Sequence, residues 1–196
     1  RIRYYQGKGK RVKAVIGVDY AGHPCDWQAL RKIADKYELQ LVNDNCHALG
    51  ASYNADKQYA VKYADVVIQS YHPVKHITTA EGGMVTTDRS DWADRIKQFR
   101  NHGITTDHRQ RDEVGSWFYE MTDLGYNYRI SDIHCALGIS QLSKLQDSIK
   151  GRTRIANIYE QVLDGFVGIY PLKVRDEVKH AYHLYVVKIN EEELGL

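Results

Sequence analysis

Two apolar runs, VKAVIGVDY (12–20) and LQLVND (39–44), flank DWQALRKIADKYE (26–38), whose apolar residues recur at helical spacing. That order leaves the chain few folds to choose from, because strands separated by a helix pair in parallel through a right-handed crossover. Asp26 stands where a helix N-cap is wanted. ADVVIQS (64–70) is a third strand, nearly all apolar and so expected to be buried on both faces. GGMVTTD (82–88) is a fourth, followed by a helix from Ser90 to Arg100. Residues 101–124 are polar, aromatic and punctuated by glycine, the pattern of a long loop with a functional or interfacial role. Residues 131–163 predict one long helix or two abutting ones, and HAYHLYVVKIN (180–190) alternates like a strand. The expected class is α/β with a mostly parallel sheet.

Composition narrows the function. A chain of 196 residues, 43% hydrophobic and 27% charged, is long enough for one domain with a real core. A net charge of +2 gives no broad attraction to nucleic acid or to a membrane surface. No apolar run approaches the ~20 residues a bilayer requires. Cys25, Cys46 and Cys135 are odd in number and widely spaced, which predicts reduced thiols in a cytoplasmic setting. The basic start (Arg1, Arg3, Lys8, Lys10, Arg11, Lys13) is read as a solvated face. Both ends look cut, so the sequence is read as an internal piece of a longer protein.

Nucleotide motifs fail: there is neither G-x-G-x-x-G nor a P-loop. No metal site is predicted, because His72 and His76, although four apart, have Pro73 between them and do not share a helical face. Two other residues differ in kind. Asp44 ends the strand 39–44, where the carboxyl edge of a parallel sheet faces the ligand crevice. Lys75 lies five residues beyond Ser70, which ends the strand 64–70, and just ahead of the Gly82–Gly83 pair. An acid and a lysine at one sheet edge suit a pyridoxal phosphate site, which needs a lysine for the Schiff base and an acid to keep the pyridinium nitrogen protonated. The alternative from pattern alone is a surface-loop lysine and an aspartate that caps the next turn.

The block NDNCHALGASYNADKQYAVKYADVVIQSYHPVKHITTAEGGMVTTD (43–88) resembles the sugar-nucleotide aminotransferases of the DegT family. The resemblance continues in order through FRNHGI, DLGYNYRISDIHCALGISQL and HAYHLYVV, and SYHPVKHITTAEGG is most similar to the branch that serves pseudaminic acid synthesis. It implies an aspartate aminotransferase-like, fold type I, three-layer α/β/α domain, incomplete here. Residues 1–150 would be part of the large pyridoxal-phosphate-binding domain, and residues 151–196 the linking helix and start of a small C-terminal α+β domain. The implied activity is transamination of a UDP-linked 4-keto-6-deoxy sugar, with pyridoxal 5'-phosphate as cofactor and glutamate as amino donor. Another keto sugar or an inosose as acceptor, or a catalytically silent dimerisation or sugar-binding module of the same fold, are the alternatives.

By resemblance, Lys75 is the Schiff-base lysine and Asp44 the partner of the pyridine nitrogen. His47 lies beside the cofactor ring and its phenolic oxygen, and Ser70 holds the phosphate. Asn127 reaches the phosphate in the neighbouring subunit, which implies a homodimer with shared active sites. Thr78 and Thr79 are expected to fix the lysine loop by local hydrogen bonds.

Overall fold

The structure, a computed structural model, describes residues 1–105 and 117–196; residues 106–116 of the expected long loop lie outside the described residues. After a short helix, α1 (Ile2–Gly7), strand β1 (Ala14–Val18) leads through a 3-10 turn to α2 (Trp27–Lys36) and β2 (Gln40–Asp44). Next come the short strand β3 (Ser52–Tyr53), α3 (Tyr59–Tyr63), β4 (Val66–Ser70) and β5 (Gly83–Thr86). Four of these strands form one sheet in the order β1-β2-β4-β5, the first three parallel and β5 antiparallel to β4, while β3 lies outside it. Asp26 caps α2 as its sequence predicts: its carboxylate accepts the Ala29 N–H at 3.0 Å, satisfying one of the donors a helix start leaves orphaned.

Helix α4 (Ser90–Arg100) falls where the periodicity puts it, and the region 131–163 resolves into two abutting helices, α5 (Asp132–Leu142) and α6 (Leu145–Leu163). The remainder is short: β6 (Ile169–Pro171), β7 (Val178–Lys179), β8 (Val187–Ile189) and α7 (Glu191–Leu194). The expected strand over 180–190 is therefore realised only at its end. Tyr182 takes a positive φ of 48°, which breaks the extended run, and the stretch before β8 bonds to other loops instead.

The sheet has one covered face and one open one. Cα partners in register share a face, so Val18, Asp44 and Ile68 line one side while Gly17, Asn43 and Val67 line the other. Successive right-handed crossovers in one direction put α2 and α3 on the same side. That side is tightly packed: a Cβ on Gly17 would meet the Trp27 ring at 2.7 Å. Trp27, Leu41, Tyr59 and Val67 are buried there, each worth about 1.5–3 kcal/mol as a large apolar side chain removed from water. On the opposite face Ile16 keeps 65% of its surface and Ile68 37%. The expectation that 64–70 is buried on both faces fails for this reason, since no described helix covers the Asp44 side of the sheet.

Behind the carboxyl edge sits a polar anchor. Asp19, fully buried just after β1, accepts four hydrogen bonds. Cys25 N–H (2.8 Å) and Trp27 Nε1–H (2.9 Å) donate to Oδ1, and Asn45 Nδ2–H (3.0 Å) and Tyr59 O–H (2.8 Å) to Oδ2. One carboxylate thus ties the ends of β1 and β2 to α2 and α3. Burial pushes its pKa up, against the lowering effect of all four bonds.

Candidate active site

Asp44 ends β2 on the open face, half-buried, with its Oδ1 accepting the Cys46 N–H at 3.1 Å. Ser70, two residues past Ile68, ends β4 on that same face. The chain then makes the loop that carries Lys75. Tyr71 closes this loop at its base: its N–H donates to Gly82 O (2.9 Å), and its carbonyl accepts Thr79 N–H (3.0 Å) and Thr78 Oγ1–H (3.1 Å). Thr79 Oγ1–H donates to Glu81 O at 2.8 Å. Both threonines do what the sequence predicts of them. Gly83 is required because a Cβ there would stand 2.7 Å from the Gln69 carbonyl, against which β5 begins.

Lys75 and Asp44 converge on His47. The His47 imidazole is held below its ordinary pKa, first by burial and then by the positive charge of Lys75, with Asp44 pulling the other way. Cys46, beside the Asp44 carboxylate, is pushed up to about 12, mainly by burial and then by its hydrogen bond to Asp44. Neither Asp44 nor Lys75 has a salt-bridge partner among the described residues. A carboxylate and an amine that share neighbours but do not pair with each other are suited to a ligand with groups of both kinds. Ser70 adds a hydroxyl whose oxygen, among the described residues, accepts only a long bond, from His72 N–H at 3.4 Å. This donor set fits pyridoxal phosphate: an acid for a protonated ring nitrogen, an amine for an aldehyde and a hydroxyl for a phosphate.

Asn127 is placed differently. It is exposed and bridges to Asn101 through the backbone, and among the described residues no hydrogen bond or ring contact links it to the other four.

Sequence reasoning missed a further set of groups. His183 stacks on His47 with ring centroids 4.3 Å apart, and His76 lies 5.6 Å from His183. His76 Nε2 bonds to the Ala181 carbonyl at 3.0 Å, and Arg152 Nη1 donates to the carbonyls of Tyr182 (3.1 Å) and His183 (3.3 Å). HAYHLYVV was legible as a block, but nothing local tells that its second histidine meets His47 across 136 positions of chain (183 minus 47). His76 and His183 both sit at about 4, through burial first, with Arg152, Lys75 and the other imidazoles adding to it.

The sign of the resulting pH dependence is fixed. A histidine whose folded pKa is depressed makes the unfolded chain the better proton acceptor, so stability is held above the ordinary imidazole range and lost as pH falls. The window runs from 6.5 down to about 4. His76, 6% exposed, is expected to cost the folded state roughly 3 kcal/mol by its lower end. Denaturant midpoints measured from pH 7 to pH 4 check this, and His76→Phe should flatten the slope. An unchanged slope in that variant would remove His76 as the cause.

The model of the DegT/DnrJ/EryC1/StrS aminotransferase family matches residues 9–194. The chain is 38% identical over 185 residues to the UDP-4-amino-4,6-dideoxy-N-acetyl-beta-L-altrosamine transaminase of Campylobacter jejuni, a match covering 94% of this chain and 47% of that protein. Among solved structures it is similar to Helicobacter pylori PseC, an aminotransferase involved in the biosynthesis of pseudoaminic acid. That match has 31% identity and a TM-score of 0.81, covering 92% of this chain and 46% of the other. Spr1654 of Streptococcus pneumoniae, solved in PMP and PLP forms, is 28% identical with TM-scores of 0.80 and 0.79. Those matches cover 91% of this chain and 49% and 48% of theirs. The chain spans about half the length of the relatives it matches, and over that half it has their α/β fold.

Proposed function

Since this chain belongs to the DegT/DnrJ/EryC1/StrS aminotransferase family, we propose that the intact protein moves an amino group from glutamate to a UDP-linked 4-keto-6-deoxy sugar. The observation that carries this reading is the convergence on His47, at the carboxyl edge of the sheet, of Lys75 and Asp44, neither of them in a salt bridge among the described residues. The C. jejuni relative, by its name a transaminase of a UDP-linked sugar, supports the substrate class.

When bound, pyridoxal phosphate supplies an aldehyde carbon conjugated to a ring that accepts electrons, so that an amino group is taken from one substrate and given to another. The protein's part is to place charges and move protons. Asp44 provides the negative charge that keeps a proton on the ring nitrogen. Ser70 offers its hydroxyl to the phosphate. Lys75 would have two tasks: its amine would hold the cofactor through the aldehyde group, and when free it would act as the base that takes a proton from the substrate's amine-bearing carbon, as a positioned base does. The loop closed by Tyr71 and Gly82 would limit where that amine can go. Residues 1–150 would be part of the large cofactor-binding domain, and 151–196 the linking helix and the start of the small C-terminal domain.

Asn127 enters through a second copy of the chain. Its exposure, and its separation from Lys75, suit a side chain that completes a neighbour's site. Exposed apolar residues on the segments that flank it in sequence support a homodimer: Trp117, Leu124 and Tyr128 are 85%, 80% and 71% exposed, and Ile133 and Ile139 on α5 are 82% and 73%. The intact protein is expected to sediment as a dimer. Ile133→Asp combined with Ile139→Asp should give a monomer that retains cofactor poorly, by dialysis followed by absorbance. A double variant that stays dimeric would place the interface elsewhere. A cytoplasmic setting agrees with three free thiols at Cys25, Cys46 and Cys135.

The activity is tested by incubating the intact protein with cofactor, glutamate and a UDP-linked 4-keto-6-deoxy sugar, then following 2-oxoglutarate and the amino sugar. Product from an inosose and not from the nucleotide sugar would shift the acceptor while keeping the reaction. No 2-oxoglutarate with any keto acceptor would overturn the reading.

A further inference from the structure

The imidazoles around Lys75 are held in place in different ways, and His47 is held through the lone pair of its Nδ1. Its Nδ1 accepts the Ala21 N–H at 3.3 Å. A ring nitrogen that accepts carries no hydrogen, so in the neutral ring the proton resides on Nε2. The donor is aimed by unusual backbone: Ala21 has φ 60° and Gly22 φ 103°. A non-glycine residue keeps such a conformation only where its surroundings enforce it.

Residues 181–184 are those surroundings. Ala181 N–H donates to Gly22 O at 2.9 Å and Leu184 N–H to Ala21 O at 3.1 Å, so the two segments grip each other backbone to backbone. A Cβ on Gly22 would stand 2.9 Å from both the His47 carbonyl and the Tyr182 nitrogen. Arg152 braces the far side through the carbonyls of Tyr182 and His183. The outcome of this grip is that the His183 ring lies over His47, tilted by 35°. Among the described residues the buried His183 Nδ1 has no hydrogen-bond partner, so the ring meets His47 by packing.

We propose that His183 is a positioning residue: together with the Ala21 N–H it locks His47 in the Nε2–H tautomer, a standing hydrogen-bond donor to an anionic oxygen of the bound cofactor. The inference rests on the reading of this site as a pyridoxal phosphate site. The groups facing His47 are Lys75 and Asp44 from the sheet edge, Tyr20 (rings 6.0 Å apart) and Ala21 from the turn after β1, and His183 with His76 behind. Taking away His183 removes packing that keeps His47 buried, and burial is the first cause of its lowered pKa. A more exposed His47 takes up a second proton at higher pH, and doubly protonated imidazole cannot accept from Ala21.

The test uses the intact protein with nitrogen-15-labelled histidine, read by NMR without cofactor, and then cofactor affinity by absorbance after equilibrium dialysis. Wild type should show His47 bare at Nδ1, protonated at Nε2 and titrating below the ordinary imidazole range. His183→Ser should raise that midpoint, mix the tautomers and weaken cofactor binding about tenfold, the worth of one hydrogen bond. His183→Phe, which refills the space without a nitrogen, should restore both. An unchanged His47 in His183→Ser overturns the proposal, as does a His183→Phe as impaired as the serine variant. Wild type that binds no cofactor would refute the cofactor reading alone, and the NMR comparison would still decide what His183 does to His47.

Discussion

Lys75→Ala is expected to lower turnover by at least about 10³-fold, the range for removing a positioned base, with a covalent attachment point lost as well. The fold should survive it. Lys75 is half-buried, and its amine has no hydrogen bond or salt bridge to a described residue, so the truncation should cost no more than about 1 kcal/mol of stability. Borohydride reduction after incubation with pyridoxal phosphate gives the direct readout: a stable adduct on the peptide containing Lys75 in wild type, and none in the variant. A side effect identifies the electrostatics. Lys75 holds down the pKa values of His47, His76 and His183, so all three should titrate at higher pH in the variant. Turnover within tenfold of wild type would remove Lys75 from the chemistry and leave a dimerisation or sugar-binding module of the same fold as the better reading.

The largest stability loss is expected at Asp19, far from any role in turnover. Asp19→Asn keeps the shape but turns one acceptor oxygen into an amide NH₂ that faces two donors. With its NH₂ toward Cys25 and Trp27, two N–H donors go unmet; with its NH₂ toward Asn45 and Tyr59, Asn45 Nδ2 loses this acceptor and keeps only the Tyr59 hydroxyl, which can itself no longer donate there. At 1–3 kcal/mol for each buried group left without a partner, the expected cost is about 3 kcal/mol or more. Tyr59→Phe removes one donor to Asp19 and one acceptor of the Asn45 amide but leaves the other three bonds to the carboxylate in place, and should cost about 1–2 kcal/mol. Denaturant midpoints of the two variants test the idea that Asp19 is the hub. Equal losses would show that the four bonds act separately and that no one carboxylate ties the sheet edge together.

The sequence by itself determined a good deal. The alternation of short β-rich runs with one amphipathic helix fixed β1, α2 and β2, because local periodicity and the Asp26 cap agree with what the tertiary structure needs. Lys75, Asp44 and Ser70 were legible as candidates because parallel topology sends every strand's carboxyl end to the same edge, whatever the side chains are.

Tertiary structure decided the rest. Whether 64–70 is buried on one face or two depends on where the crossover helices lie, and both α2 and α3 took one side, leaving Ile68 open beside Asp44. The run 180–190 has the alternation of a strand, yet Tyr182 turns it away because Gly22 and Arg152 offer its backbone better partners than a neighbouring strand would. The same turn lays His183 on His47. Periodicity reports only on residues a few positions apart. A contact between groups 136 positions apart (183 minus 47) exists only once the backbone hydrogen bonds between residues 21–22 and 181–184 have closed the chain on itself.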